Sequence, residues 1–134
     1  MPHPIMFDDD DPVLGRVRDV ARAFPESTEV IAHGRPTFRC GRVFCHYGGS
    51  IRGGERREQS ILFHPDPAEA DALRADPRVF VPAYLGPAGW LGLDLSGGPD
   101  PSGNAPDWDE VGELIDASYR RIAPARLVRQ LDQR

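Results

Sequence analysis

The sequence predicts an α+β domain: a two-layer sandwich in which helices near the two ends of the chain lie on one face of an antiparallel sheet. Three observations predict it. Apolar residues recur at helical spacing only near the N-terminus and again after residue 107. The stretch between breaks into short β-like runs bounded by Gly and Pro, and each helical segment carries a single apolar stripe. With 134 residues, 40% of them apolar, the chain can bury one core without a disulfide or metal staple. We therefore read residues 1–134 as one domain, with residues 1–10 as a flexible lead.

Asp11 followed by Pro12 has the form of a helix start, an N-cap carboxylate before a proline at the first helical position. Val13, Leu14, Val17, Val20, Ala21 and Phe24 then form one stripe that ends before Pro25. Strands are expected over 29–33, 37–39, 42–47 and 59–64. A two-residue turn at Cys40-Gly41 would set Phe38 opposite Val43 and Arg39 opposite Arg42, with Phe44 and His46 on the face of Arg39. Gly48 to Arg57, with four glycines and three arginines, reads as a mobile wing between strands. A short helix is expected over 66–75, stopped by Asp76-Pro77, then a marginal strand over 79–81.

Residues 89–95 alternate, with Leu91, Leu93 and Leu95 on one face and Trp90, Gly92 and Asp94 on the other. Ser96 to Pro106 reads as a loop. Asp107 with Glu110 resembles a capping box, and Val111, Leu114, Ile115, Ser118, Tyr119 and Ile122 form the stripe of a terminal helix that Pro124 breaks before a last helical turn. Helices on one side leave the opposite sheet face partly open, with Trp90 and part of the Arg-rich hairpin on it.

All 16 basic side chains are arginine, which excludes a lysine Schiff base and a P-loop lysine. The net charge is −5, yet positions 35–57 hold six arginines against Glu55 alone, a local +5. The guanidinium fork suits phosphate and carboxylate. No apolar run approaches a membrane span and the start lacks a signal-peptide pattern, so a cytoplasmic, monomeric protein without a membrane partner is expected. Cys40 and Cys45 form neither a CxxC pair nor a disulfide framework, and both thiols are read as reduced. His33 is weighed as a general base and set aside as a strand-end residue. His46 and His64 have no metal-ligand spacing, and Ser118 and Tyr119 are read as buried hydroxyls bonded to backbone. Neither a catalytic set nor a cofactor is expected.

His33-Gly34-Arg35-Pro36-Thr37-Phe38-Arg39, Gly41, Phe44, Asp76-Pro77, Gly89-Trp90-Leu91 and Ser118-Tyr119, in this order, resemble the MmcQ/YjbR family over about residues 13–122. The resemblance implies a fold similar to CyaY and frataxin, and the family's DNA-binding-like label makes nucleic acid the implied ligand. The chain departs from the family in Leu85 to Gly89, where several relatives carry polar or basic residues, and in its Arg-bearing wing. On this reading the protein is a non-enzymatic binding module in which Arg39, Arg42, Arg52, Arg56 and Arg57 contact phosphates, with weak, salt-dependent affinity. The alternatives are a small-ligand or protein-binding domain that uses the open sheet face through His33 and Trp90, and a frataxin-like metal-handling protein that uses Asp8 to Asp11.

Overall fold

A computed structural model of the chain describes residues 4–97 and 106–134. Helix α1 (Pro12–Arg22) leads into strands β1 (Thr28–Ala32), β2 (Arg35–Cys40), β3 (Arg42–Ser50) and β4 (Arg56–Phe63). Helix α2 (Ala70–Arg74), β5 (Val79–Phe80), a 3-10 turn over Gly86–Ala88, β6 (Leu91–Asp94), α3 (Trp108–Ile122) and α4 (Ala125–Asp132) follow. The six strands form one sheet in the order β1-β2-β3-β4-β6-β5, with antiparallel neighbours throughout. This is the expected α+β architecture. The loop expected over Ser96 to Pro106 lies largely outside the described residues, since 98–105 fall there.

The helix starts follow from their caps. Asp11 accepts the Val13 N–H at 2.9 Å and so caps α1. The same carboxylate accepts the Tyr47 hydroxyl at 2.5 Å and the Gln59 amide at 3.0 Å, which ties the helix to the sheet. Asp107 caps α3 through the Asp109 and Glu110 N–H groups. Only this half of the expected capping box is used, because the Glu110 carboxylate turns to Arg78 at 2.8 Å. Helix α2 is shorter than expected, as Asp66 spends its carboxylate on a turn at Ala68 before the helix begins.

Behind the sheet, Leu14, Val17 and Ala21 of α1 meet Val111, Ile115 and Tyr119 of α3 over Phe38, Phe44, Tyr47, Ile61, Phe63 and the leucines of β6. Phe44, Phe24 and Tyr119 pack as an aromatic group, with Phe44 edge-on to Tyr119 at 5.0 Å. Two hydroxyls lock α3 in place, as the sequence suggests. Ser118 Oγ donates to the Phe44 carbonyl at 2.6 Å and accepts the His64 N–H at 2.8 Å, while Tyr119 donates to the Pro25 carbonyl at 2.7 Å.

Two expectations are corrected. At the β2–β3 turn Cys40 pairs with Arg42 around Gly41, and the register slips so that Arg39 faces Val43 and Phe38 faces Cys45. Phe44 is the extra residue of a β-bulge and is fully buried with Cys45 on the helix side. Strict alternation would have turned Phe44 to the outer face, and burying its ring is worth roughly 1.5–3 kcal/mol, which the bulge secures.

The expected wing is for the most part sheet. β3 runs to Ser50 and β4 begins at Arg56, leaving Arg52 to Glu55 as an exposed tip. Ile51 bridges to Pro82 and packs against Leu62, Phe80 and Trp90. Gly53 and Gly54, with φ of +108° and +106°, make the turn.

Replacing Ser118 with Ala should strand the Phe44 carbonyl and the His64 N–H inside the protein. A loss of about 1–3 kcal/mol is expected, read as a lower urea midpoint at unchanged slope.

Candidate functional site: the outer face of the sheet

The sheet face away from α1, α3 and α4 carries one continuous cross-strand row, Val30, Thr37, His46, Leu62, Gly92 and Phe80, set by the registers of all six strands. Gly92 is required in it. A Cβ there would lie 2.3 Å from the Phe80 ring, which occupies that space. Phe80, Leu62 and Trp90 form a second, smaller core, with Val43, Ile51 and Leu85 against it. Trp90, the expected contact aromatic, is thus the buried floor of this face, 9% exposed.

Two imidazoles stand edge-on to that indole, His46 at 5.1 Å and His64 at 5.7 Å. Burial, then the positive charge of Arg39 and of His33, pushes His46 down to about 4 and keeps it neutral. Arg121, on the last turn of α3, donates from Nε to His64 Nδ1 at 2.9 Å, so the ring proton sits on Nε2 and reaches the Ala88 carbonyl at 3.0 Å. Arg39 donates from Nε to the Thr37 hydroxyl at 3.0 Å, and that hydroxyl donates to the Val30 carbonyl at 2.6 Å. A row of Arg39, His46, Trp90, His64 and Arg121 therefore lines the outer face, with ring contacts to Trp90 at its centre, a hydrogen bond from Arg121 to His64, and arginine at both ends.

The five arginines singled out from the sequence do not converge. Arg42 opens β3 and Arg52 lies just past its far end, and the strand's nine residues span about 27 Å. Arg42 shares the helix-side parity of its partner Cys40, whereas Arg39 shares the outer face of Thr37. Arg57 is closed onto Glu55 at 2.7 Å and Asp94 at 3.5 Å. Arg52 and Arg56 are exposed near the hairpin tip.

His33 is exposed at the β1–β2 turn with φ +53°, followed by Gly34 at +83°, the pair of positive φ values a tight hairpin needs. His46 lies on the face of Arg39, as the alternation predicts, and His64 and Arg121 complete the face. Arg121 comes from a distant helix and carries no sequence signal for it.

Elsewhere the ionic groups serve the fold. Asp8 accepts the Asp10 N–H, Asp9 pairs with Arg18 at 2.7 Å, and Asp11 is the α1 cap. A groove of about 700 Å³ near Phe80 includes Arg57 and Arg78, but Arg78 is held by Asp76 and Glu110 at 2.7 and 2.8 Å. Burial pushes the Cys45 thiol up and removes its reactivity. Among the described residues, no group of three or more His, Cys, Asp or Glu is placed to hold a metal ion, and no helix is long and apolar enough to cross a membrane.

His46 predicts an acid dependence of stability. The unfolded chain takes up its imidazole proton near pH 6.5, and the folded protein does so only near pH 4. Between these values the unfolded state binds more protons, so stability falls with acid by up to about 1.4 kcal/mol per pH unit, and the contribution is flat above pH 6.5. Urea titrations from pH 7.5 to 4 should show this slope in the wild type and a shallower one in His46→Gln. Parallel profiles would mean that His46 is not held neutral.

A family model described as YjbR matches residues 22–121. No curated protein matches the chain.

Proposed function

Because the chain belongs to the YjbR family, we propose that it is a binding module that holds nucleic acid on the outer face of its sheet, with Arg39 and Arg121 taking phosphate groups. One observation carries the reading. On the helix layer Arg18, Arg22, Arg120 and Arg126 are closed onto carboxylates. Among the described residues, the two arginines that border the outer face hydrogen-bond to neutral partners, a threonine hydroxyl and an imidazole nitrogen. Their charge is left for a ligand, and each guanidinium keeps further N–H donors for it. Arg52 and Arg56 at the hairpin tip add attraction at longer range. Arg42 faces the other way and Arg57 is neutralised, so neither is assigned a contact.

The net charge of −5 sets the strength: binding is weak, carried by a local patch, and steeply salt-dependent. Phosphate contacts of this kind position a strand without reading its sequence. The small-ligand reading loses its anchor, since Trp90 offers little surface. The metal-handling reading is disfavoured by the capping and ion-pair roles of Asp8, Asp9 and Asp11.

The test is fluorescence anisotropy with a labelled oligonucleotide at several salt concentrations, from about 50 to 200 mM. Arg39→Gln and Arg121→Gln should each weaken binding and together lower the salt slope by about 1.5. Glutamine at 121 can still donate to His64, which protects the fold. Arg42→Gln should bind as the wild type does. Equal binding by the double variant, or no binding at 50 mM salt, would overturn the proposal.

A further inference from the structure

We propose that Tyr84 is a stacking platform for an unpaired nucleobase on this face, an inference that rests on the nucleic-acid reading above and gives it a substrate form, the single strand. Tyr84 is 97% exposed, far more than any other large apolar or aromatic residue described. Its φ is +66°, a left-handed conformation that bulky L-residues rarely adopt. The ring adds nothing to packing and the backbone is strained, so the folded state alone gives no reason for a tyrosine here where glycine would fit without strain.

The strain is held by an ordered loop. The Leu85 N–H bonds to the Ala83 carbonyl at 2.7 Å, the Gly86 N–H to Pro82 at 3.0 Å and the Trp90 N–H to Leu85 at 3.3 Å. Gly86 packs so closely that a Cβ would lie 2.6 Å from the Val81 side chain. Leu85 itself sits in the small core over Trp90, which makes the neighbouring Tyr84 a ring presented from a fixed base.

The loop also lies between the hairpin tip that carries Arg52 and the Arg121 end of the face. On one side the Arg52 N–H bonds to the Val81 carbonyl at 3.2 Å and the Ala83 N–H to Ser50 at 2.8 Å. On the other, the Ala88 carbonyl holds His64, which Arg121 holds in turn. An exposed ring on a loop tied at each side to an arginine that, among the described residues, is closed onto no carboxylate is the arrangement by which single strands are bound, bases on aromatic faces and phosphates on cations. A regular duplex keeps its bases stacked inside and offers Tyr84 no such partner.

The experiment compares a labelled oligothymidylate of about 12 nucleotides with a duplex of the same length, at low salt. Tyr84→Ala should weaken single-strand binding about 5- to 100-fold, leave duplex binding unchanged and leave the melting temperature at the wild-type value. Tyr84→Phe should bind like the wild type. Tyr84→Gly should lose binding while melting at the wild-type temperature or above, because it removes the backbone strain.

Equal single-strand binding by Tyr84→Ala, with Arg39→Gln still weakened, would overturn the stacking role and leave the arginine face standing. A ring that serves a protein partner instead would give that result. Equal losses for single strand and duplex would also overturn it, as would a fall in the melting temperature of Tyr84→Ala. Failure of the wild type to bind either oligonucleotide would remove both readings together.

Discussion

The bulge at Phe44 is the constraint on which both faces of the sheet depend. By adding one residue to β3 between Val43 and Cys45 it places Phe44 and Cys45 side by side in the helix-facing core. Phe44 then does two jobs. Its ring meets Phe24 and Tyr119, and its carbonyl, freed from regular pairing, accepts the Ser118 hydroxyl and so fixes α3 against the sheet. The same slip turns Val43 to the outer face, which His46 shares, and brings Val43, instead of Arg42, opposite Arg39. Two arginines that strict hairpin pairing would have set against each other are thereby separated, which removes a like-charge contact.

The outer face is not the bare surface that helices on one side would leave. The chain after β5 crosses it, and Leu85, Phe80 and Ile51 close over Trp90 and Leu62 to make a second core beside a polar strip. Trp90 is too large to bury cheaply without company, and Gly92 beside it leaves room for the Phe80 ring. The site is therefore built on a rigid floor. The polar groups above that floor are aligned by neutral hydrogen bonds, which keep the arginine charges available instead of cancelling them in place.

Electrostatics divides the molecule in a way that its net charge conceals. The acidic N-terminal run is spent on a helix cap, a turn and an ion pair with Arg18, and Asp116 of α3 and Asp132 of α4 both close onto Arg120. Arg39 and Arg121 form a small cationic border on one face of an acidic protein. Attraction of this kind acts over about a Debye length and fades with salt, so such a face suits reversible, non-specific contact with a polyanion.

Helix and strand identities were legible in the sequence because they follow from local chemistry: Asp11-Pro12 and Asp107 as caps, the 3.6-residue stripes of α1 and α3, and the period-2 leucines of β6. The backbone-bonded hydroxyls of Ser118 and Tyr119 were legible for the same reason, since a polar group on an apolar stripe must find an internal partner. The arginine cluster was not a site that sequence could define. Sequence proximity brings Arg39, Arg42, Arg52, Arg56 and Arg57 within 19 positions, yet a nine-residue strand carries them to opposite ends of the sheet and ion pairing removes Arg57. The residues that complete the face, Arg121, His64 and Tyr84, come from a distant helix, a strand end and a strained loop. Only long-range register and packing decide such neighbours, because they are set by which chain segments share a core and not by which are adjacent along the chain.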